Sequence, residues 1–301
     1  MEENIIALIR EKGPLTGSEI LENTGADSLF LWKTCKGSCK LLICAIGTRY
    51  LRLDDRVEGL ARLSPSILRE FLTYSVIGLA SDPLPAREKA AKILSHVEEV
   101  SKAKSQLAYS IVSSMANRLE IEVPIQEQVC FIIAGDIVYN MAHDVPRPER
   151  STGKLVRGSD MDLVVIADET FPAPLMNRLD DAIYQEKYRI LMTPHIREEV
   201  DYVVKNMQKV QEQLAFDTFK RMVACKIMYE GTLLYGSDQI FHKVKSMLRD
   251  YGITAKLQVM EKQALRFRNQ AESRLLAEDP EKSDRSETNL FYPAEESEEF
   301  E

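Results

Sequence analysis

The chain has 301 residues, 45% of them hydrophobic and 29% charged, with a formal net charge of −8. That size fits two or three domains and a core that needs no disulfide or metal staples. Taken whole, the charge argues against a nucleic-acid binder, which usually carries a basic surface. The charge is unevenly placed, however. Between Glu278 and Glu301 ten acids stand against Lys282 and Arg285, a balance equal to the whole net charge, so residues 1–277 are neutral overall.

Residues 3–12 form an amphipathic pattern with Ile5, Ile6, Leu8 and Ile9 apolar, stopped at Gly13-Pro14. Thr16 or Ser18 can cap a second helix through Glu22, and Asp27 or Ser28 a third that runs to Lys36-Gly37. Two strand-like runs follow, Lys40–Ile46 and Thr48–Leu53, expected to form a hairpin at Gly47. This order of helices, tight turn and hairpin resembles a winged helix-turn-helix, which lays its third helix and its wing on DNA. From Leu31 to Arg52 there are five cations and no acid, Lys33, Lys36, Lys40, Arg49 and Arg52, and they are the expected DNA contacts. Ser64-Pro65 then reads as the start of a helix to about Ile77, and residues 81–87 as a linker before a long helix over Glu88–Leu119.

An α/β pattern follows. Val129–Ala134 is an apolar strand ending in Gly135, with a helix expected from there to Met141. Residues 142–157 read as a polar loop, Met161–Ala167 as a second strand, Pro172–Leu191 as a helix and Glu199–Val204 as a third strand. Lys205–Glu230, Asp238–Arg249 and Ala255–Ala277 read as helices, with a break at Gly231–Gly236. The expected domains are therefore 1–78, a connecting stretch 79–104, 105–250, a C-terminal helix 251–277 and an acidic tail 278–301. The tail, poor in apolar residues, reads as disordered, except that Leu290-Phe291-Tyr292 leaves a docking peptide or a mimic of a phosphate backbone open.

The chemistry lies in Gly158-Ser159-Asp160-Met161-Asp162-Leu163. Carboxylates two apart on a strand share a face. Such a face suits Mg²⁺ shared with a triphosphate. Together with Phe131-Ile132-Ile133-Ala134-Gly135, this stretch resembles the nucleotidyltransferase superfamily of the DNA polymerase β-like and minimal types. The resemblance covers roughly residues 105–250 and implies an α+β protein of small mixed sheet and flanking helices. It implies Mg²⁺ or Mn²⁺ held by Asp160, Asp162 and a third acid on a later strand, with Asp201 chosen and Glu199 as the alternative. It also implies an NTP such as ATP contacted by Gly135, Asp136, Gly158 and Ser159, and transfer of its NMP to a hydroxyl of a protein or nucleic acid. Asp136 departs from the family's Ser or Gly, and the inserted loop brings Arg147, Arg150, Lys154 and Arg157. A DNA-binding regulator with a degenerate, nucleotide-sensing domain is the alternative reading.

The five cysteines, Cys35, Cys39, Cys44, Cys130 and Cys225, are odd in number and have no zinc-like partner, since none of the four histidines is local. With no signal-like start and no apolar run long enough to span a bilayer, the expectation is a cytoplasmic protein without a membrane partner, its oligomeric state left open.

Overall fold

The computed structural model describes residues 1–119, 124–149, 151–277 and 290–291. The expected tail, Leu290 and Phe291 apart, and Arg150 lie outside the described residues. The architecture is mixed α+β. Two compact units are present: Met1–His96 together with described residues from Gln258 on, and Val97–Leu257.

In the first unit α1 (Glu2–Lys12) buries Ile5, Ile6 and Ile9. β1 (Leu15–Thr16) leads into α2 (Gly17–Thr24). Thr16 closes a capping box: its hydroxyl accepts from the Glu19 N–H, and its own N–H donates to the Glu19 carboxylate. Asp27 caps α3 (Ser28–Gly37) by accepting from the Phe30 N–H at 2.9 Å. The strands β2 (Leu41–Ala45), β3 (Tyr50–Leu53), β4 (Ala61–Ser64), helix α4 (Ile67–Thr73) and strand β5 (Ser75–Leu79) complete the segment.

Here the expected hairpin is corrected. β2 and β3 do not pair with each other: β5 lies between β1 and β2 in an antiparallel sheet, while β3 pairs with β4. Two adjacent β-prone runs do not identify their partners, and β5 wins because it is buried from Ser75 through Gly78. The helix expected over 64–77 shrinks to α4, capped by Ser66 rather than Ser64, because the remainder is the β-branched strand Val76-Ile77.

α5 (Leu84–Leu119) begins inside the expected linker. After it come α6 (Ile125–Gln128), β6 (Val129–Ala134), β7 (Pro146–Pro148), β8 (Leu155–Arg157), β9 (Met161–Ala167), α7 (Ala173–Met192) and β10 (Val200–Asn206). α8 (Met207–Gln213), α9 (Phe219–Glu230), β11 (Thr232–Gly236), α10 (Asp238–Asp250) and α11 (Ile253–Ala277) follow. The expected break at 231–236 is in fact the strand β11, the expected helix at 205 starts only after β10, and the expected loop 142–157 contains the β7–β8 hairpin. The helix expected after Gly135 is a single 3-10 stretch, Gly135–Tyr139.

The second unit is built on a sheet of order β10-β9-β6-β11, with β9 and β10 parallel and the other pairs antiparallel. Its odd-numbered residues on β6 and β9 pack with α5 and α7, where Val112, Met115, Leu179 and Ile183 are buried. α9 and α10 pack on β6, and every residue of β6 is buried, which is why its sequence is a continuous apolar run. The ammonium of Lys245 donates to the carbonyls of Met228, Tyr229 and Gly231 at 2.6–2.8 Å, closing the end of α9 where the helix dipole favours a cation. Among the described residues no helix is long and apolar enough to cross a membrane.

Candidate metal and nucleotide site

Parallel pairing sets Asp201 of β10 directly beside Asp162 of β9. Asp160, at the mouth of β9, lies on the same face by the two-residue period. Carboxylate oxygens of Asp160, Asp162 and Asp201 lie within 4.8 Å of one another, and all three residues are half-buried. Glu199, the alternative third acid, joins them on that face and is 7% exposed. Burial pushes the Glu199 carboxyl above its ordinary value; Asp160 and Asp201 add to the rise, and Arg147 opposes it.

Among the described residues, Arg147 and Lys187 pair with the acids. Arg147, on β7, places Nη2 2.8 Å from Glu199 Oε2 and 3.7 Å from Asp160 Oδ2, while its Nε donates to the Gly158 carbonyl at 2.7 Å. The Glu199 contact is close in distance but off hydrogen-bond geometry, so among the described residues that oxygen has no hydrogen-bond donor. Lys187 of α7 reaches Asp201 Oδ1 at 2.8 Å. Arg147 is one of the cations that the inserted loop brings; Lys187 carried no signal, because helical periodicity does not show which edge strand a long side chain reaches.

The expected nucleotide contacts gather around the acids. Gly135 has φ +73, and a Cβ there would stand 2.1 Å from Asp162 Oδ2, so glycine is the residue that lets β6 pass the carboxylate. Gly158, at φ +62, similarly passes 1.9 Å from the His143 carbonyl at the position of a Cβ. Their polar groups are engaged within the protein. Ser159 Oγ donates to Asp136 Oδ2 at 2.9 Å and accepts from the His143 N–H. The Gly135 N–H donates to Glu230 Oε1 at 3.3 Å, and Glu230 is itself paired with Lys226 at 2.9 Å. Glu230, at the end of α9, was not singled out in the sequence; no local motif marks it.

No protein-family model matches the chain, nor does any curated protein or solved structure.

Beside the acid cluster, Glu198 points away from its neighbour Glu199 and pairs with the ammonium of Lys104, which also donates to the Arg157 carbonyl. The two sit in a cleft of about 400 Å³ lined also by Val100, Leu107, Asp144 and Arg157. Burial raises the Glu198 carboxyl against the pull of Lys104.

In the first unit the expected DNA contacts are scattered among acids. Lys40 pairs with Glu3 at 2.6 Å, and Lys36 stands 3.7 Å from Glu272. Arg49 is held by both oxygens of Glu70 and by Glu272. Lys33 and Arg52 are half-buried and also have partners. All five cysteines are free thiols; burial pushes Cys35, Cys130 and Cys225 up to about 12, which makes them poor nucleophiles.

Proposed function

We propose that the second unit is a nucleotidyltransferase-fold domain that moves an NMP from an NTP to an acceptor hydroxyl, and that the first is a winged helix that engages DNA. One observation carries the enzymatic reading: three carboxylates from two adjacent parallel strands converge within 4.8 Å. The strand order and the glycine that lets β6 pass Asp162 support it. The donor set, all carboxylate oxygen, fits a hard divalent ion such as Mg²⁺ or Mn²⁺, which when bound would neutralise the triphosphate and the departing pyrophosphate.

The residues of this chain have separable tasks in that reading. Asp160, Asp162 and Asp201 would supply the oxygens that hold the ion. Asp201 accepts the proton of the acceptor hydroxyl as its oxygen bonds to the α-phosphorus and the bond to pyrophosphate breaks. Arg147 and Lys187 balance charge while no polyanion is present. Catalysis of this kind is positioning and charge neutralisation. For the first unit, the sheet order β1-β5-β2 behind α2 and α3 supports the winged-helix reading, with residues 46–74 standing where a simple wing would be.

The rival reading, a regulator with a nucleotide-sensing but inert domain, is favoured by one feature. Ser159 and the Gly135 amide already bind Asp136 and Glu230, groups that repel phosphate. The deciding experiment incubates the protein with α-labelled NTPs, Mg²⁺ and cell extract, with Asp160→Asn/Asp162→Asn as control. Label appearing on a protein or nucleic-acid fraction with the wild type only supports transfer. Metal-dependent NTP binding without label transfer supports the rival, and neither signal sinks both.

A further inference from the structure

Phe291 lies in a strongly acidic stretch of sequence, yet its side chain is fully buried in the first unit. Its ring packs edge-on against Trp32 of α3, with centroids 5.7 Å apart and planes at 72°. Leu290 packs half-buried against the same core, which includes Ala271 and Leu275 of α11. An aromatic side chain inserted this way is an anchor, and the acids around it are cargo. Glu287 and Glu295 each lie four residues from Phe291 in the sequence. The cations Lys33 and Lys36 follow Trp32 on the same helix. α11 already directs one acid, Glu272, at Lys36 and Arg49.

We propose that the Trp32 socket is a docking surface for an aromatic-anchored acidic peptide. Its occupant is the chain's own Leu290–Phe291, bound in cis, and the docked segment competes with polyanions for the cations of α3. Only the competition rests on the nucleic-acid reading above. Docking in cis follows from connectivity: α11 ends at Ala277 in the same unit, and only twelve residues of sequence separate it from Leu290. Covalent linkage across so few residues presents a group at an effective concentration of roughly millimolar, so a weak anchor suffices and a free polyanion competes by mass action. Such competition is electrostatic and fades with salt as phosphate binding does.

Trp32 is the only tryptophan, so its emission reports the socket directly. The full chain is compared with Phe291→Ala and with Glu295→Lys/Glu296→Lys, measuring emission maximum, acrylamide quenching and anisotropy of a labelled DNA duplex at low and moderate salt. Phe291→Ala is expected to shift emission to the red, expose Trp32 to quencher and tighten duplex binding by roughly tenfold at low salt. The charge reversal should leave emission unchanged and still tighten binding, which keeps the test valid should Phe291→Ala fold poorly. Unchanged emission in Phe291→Ala overturns the docking. Emission that reverts on dilution of the wild type overturns the cis assignment in favour of exchange between copies. A shifted emission with no duplex binding by any variant overturns the competition and the nucleic-acid reading together, while the socket stands.

Discussion

Lys187 and Asp201 are each about one-third exposed, at side-chain values of 29% and 34%, so solvent screens their attraction and the pair is worth on the order of 1 kcal/mol or less. Its importance is competitive: the ammonium holds the oxygen a divalent ion would need. Lys187→Met should therefore tighten Mn²⁺ binding by about threefold to tenfold, read by titration calorimetry, and weaker binding would mean that Lys187 belongs to the ligand cradle. A second residue gives a pH signature. Asp54 is pushed up by burial but held down, to about 2, by hydrogen bonds from Arg56 and Arg62. A carboxyl depressed in the folded state stabilises above its ordinary value near 4, and that contribution disappears as pH falls toward 2. Asp54→Asn should thus cost roughly 2 kcal/mol at pH 7 in denaturant melts, with the difference from wild type closing below pH 3. A gap that stays constant with pH would assign the loss to packing. Glu199 has the opposite sign: its raised carboxyl penalises the fold increasingly as pH rises through and above the usual carboxylate range.

At the scale of elements, the parts legible in the sequence were those whose signal is local. β6 and β9 announce themselves as apolar runs bounded by glycine, and Thr16 and Asp27 as caps. Asp201 emerged because β10 alternates around it, and the same alternation put Glu199 on its face. What stayed hidden was pairing. β5 is five residues that continue an apparent helix, and only its place between β1 and β2 makes it a strand. β11 looked like a turn because it is short, glycine-flanked and bulged between Leu233 and Tyr235. The β6 turn offers an element-level test. Gly135→Ala puts a methyl onto Asp162 at a positive φ, so we expect a loss of about 1–3 kcal/mol and of most Mn²⁺ affinity. Preserved affinity in a protein destabilised by that amount would show that Asp162 is not held by the turn.

At the scale of the whole chain, the first unit is completed from far along the sequence. Arg268 of α11 is 2% exposed and donates to the Pro65 carbonyl at 2.9 Å, to Glu70 and to Glu272. Glu70 and Glu272 in turn hold Arg49, so two acids and two guanidiniums form one network. Composition does not reveal such a network, since neutrality over residues 1–277 is equally consistent with separated patches. Removing one member of a buried charge network leaves its partners unpaired and costs about 3–5 kcal/mol. Arg268→Met retains most of the side-chain volume, so its loss isolates the charge. It should accelerate amide exchange in β3, β4 and α4, while the protection of β6 and β9 and their Mn²⁺ affinity remain unchanged, because those strands belong to the other unit. Exchange that rises equally in both units would mean that the chain unfolds as one cooperative block and that the C-terminal helix secures the whole molecule.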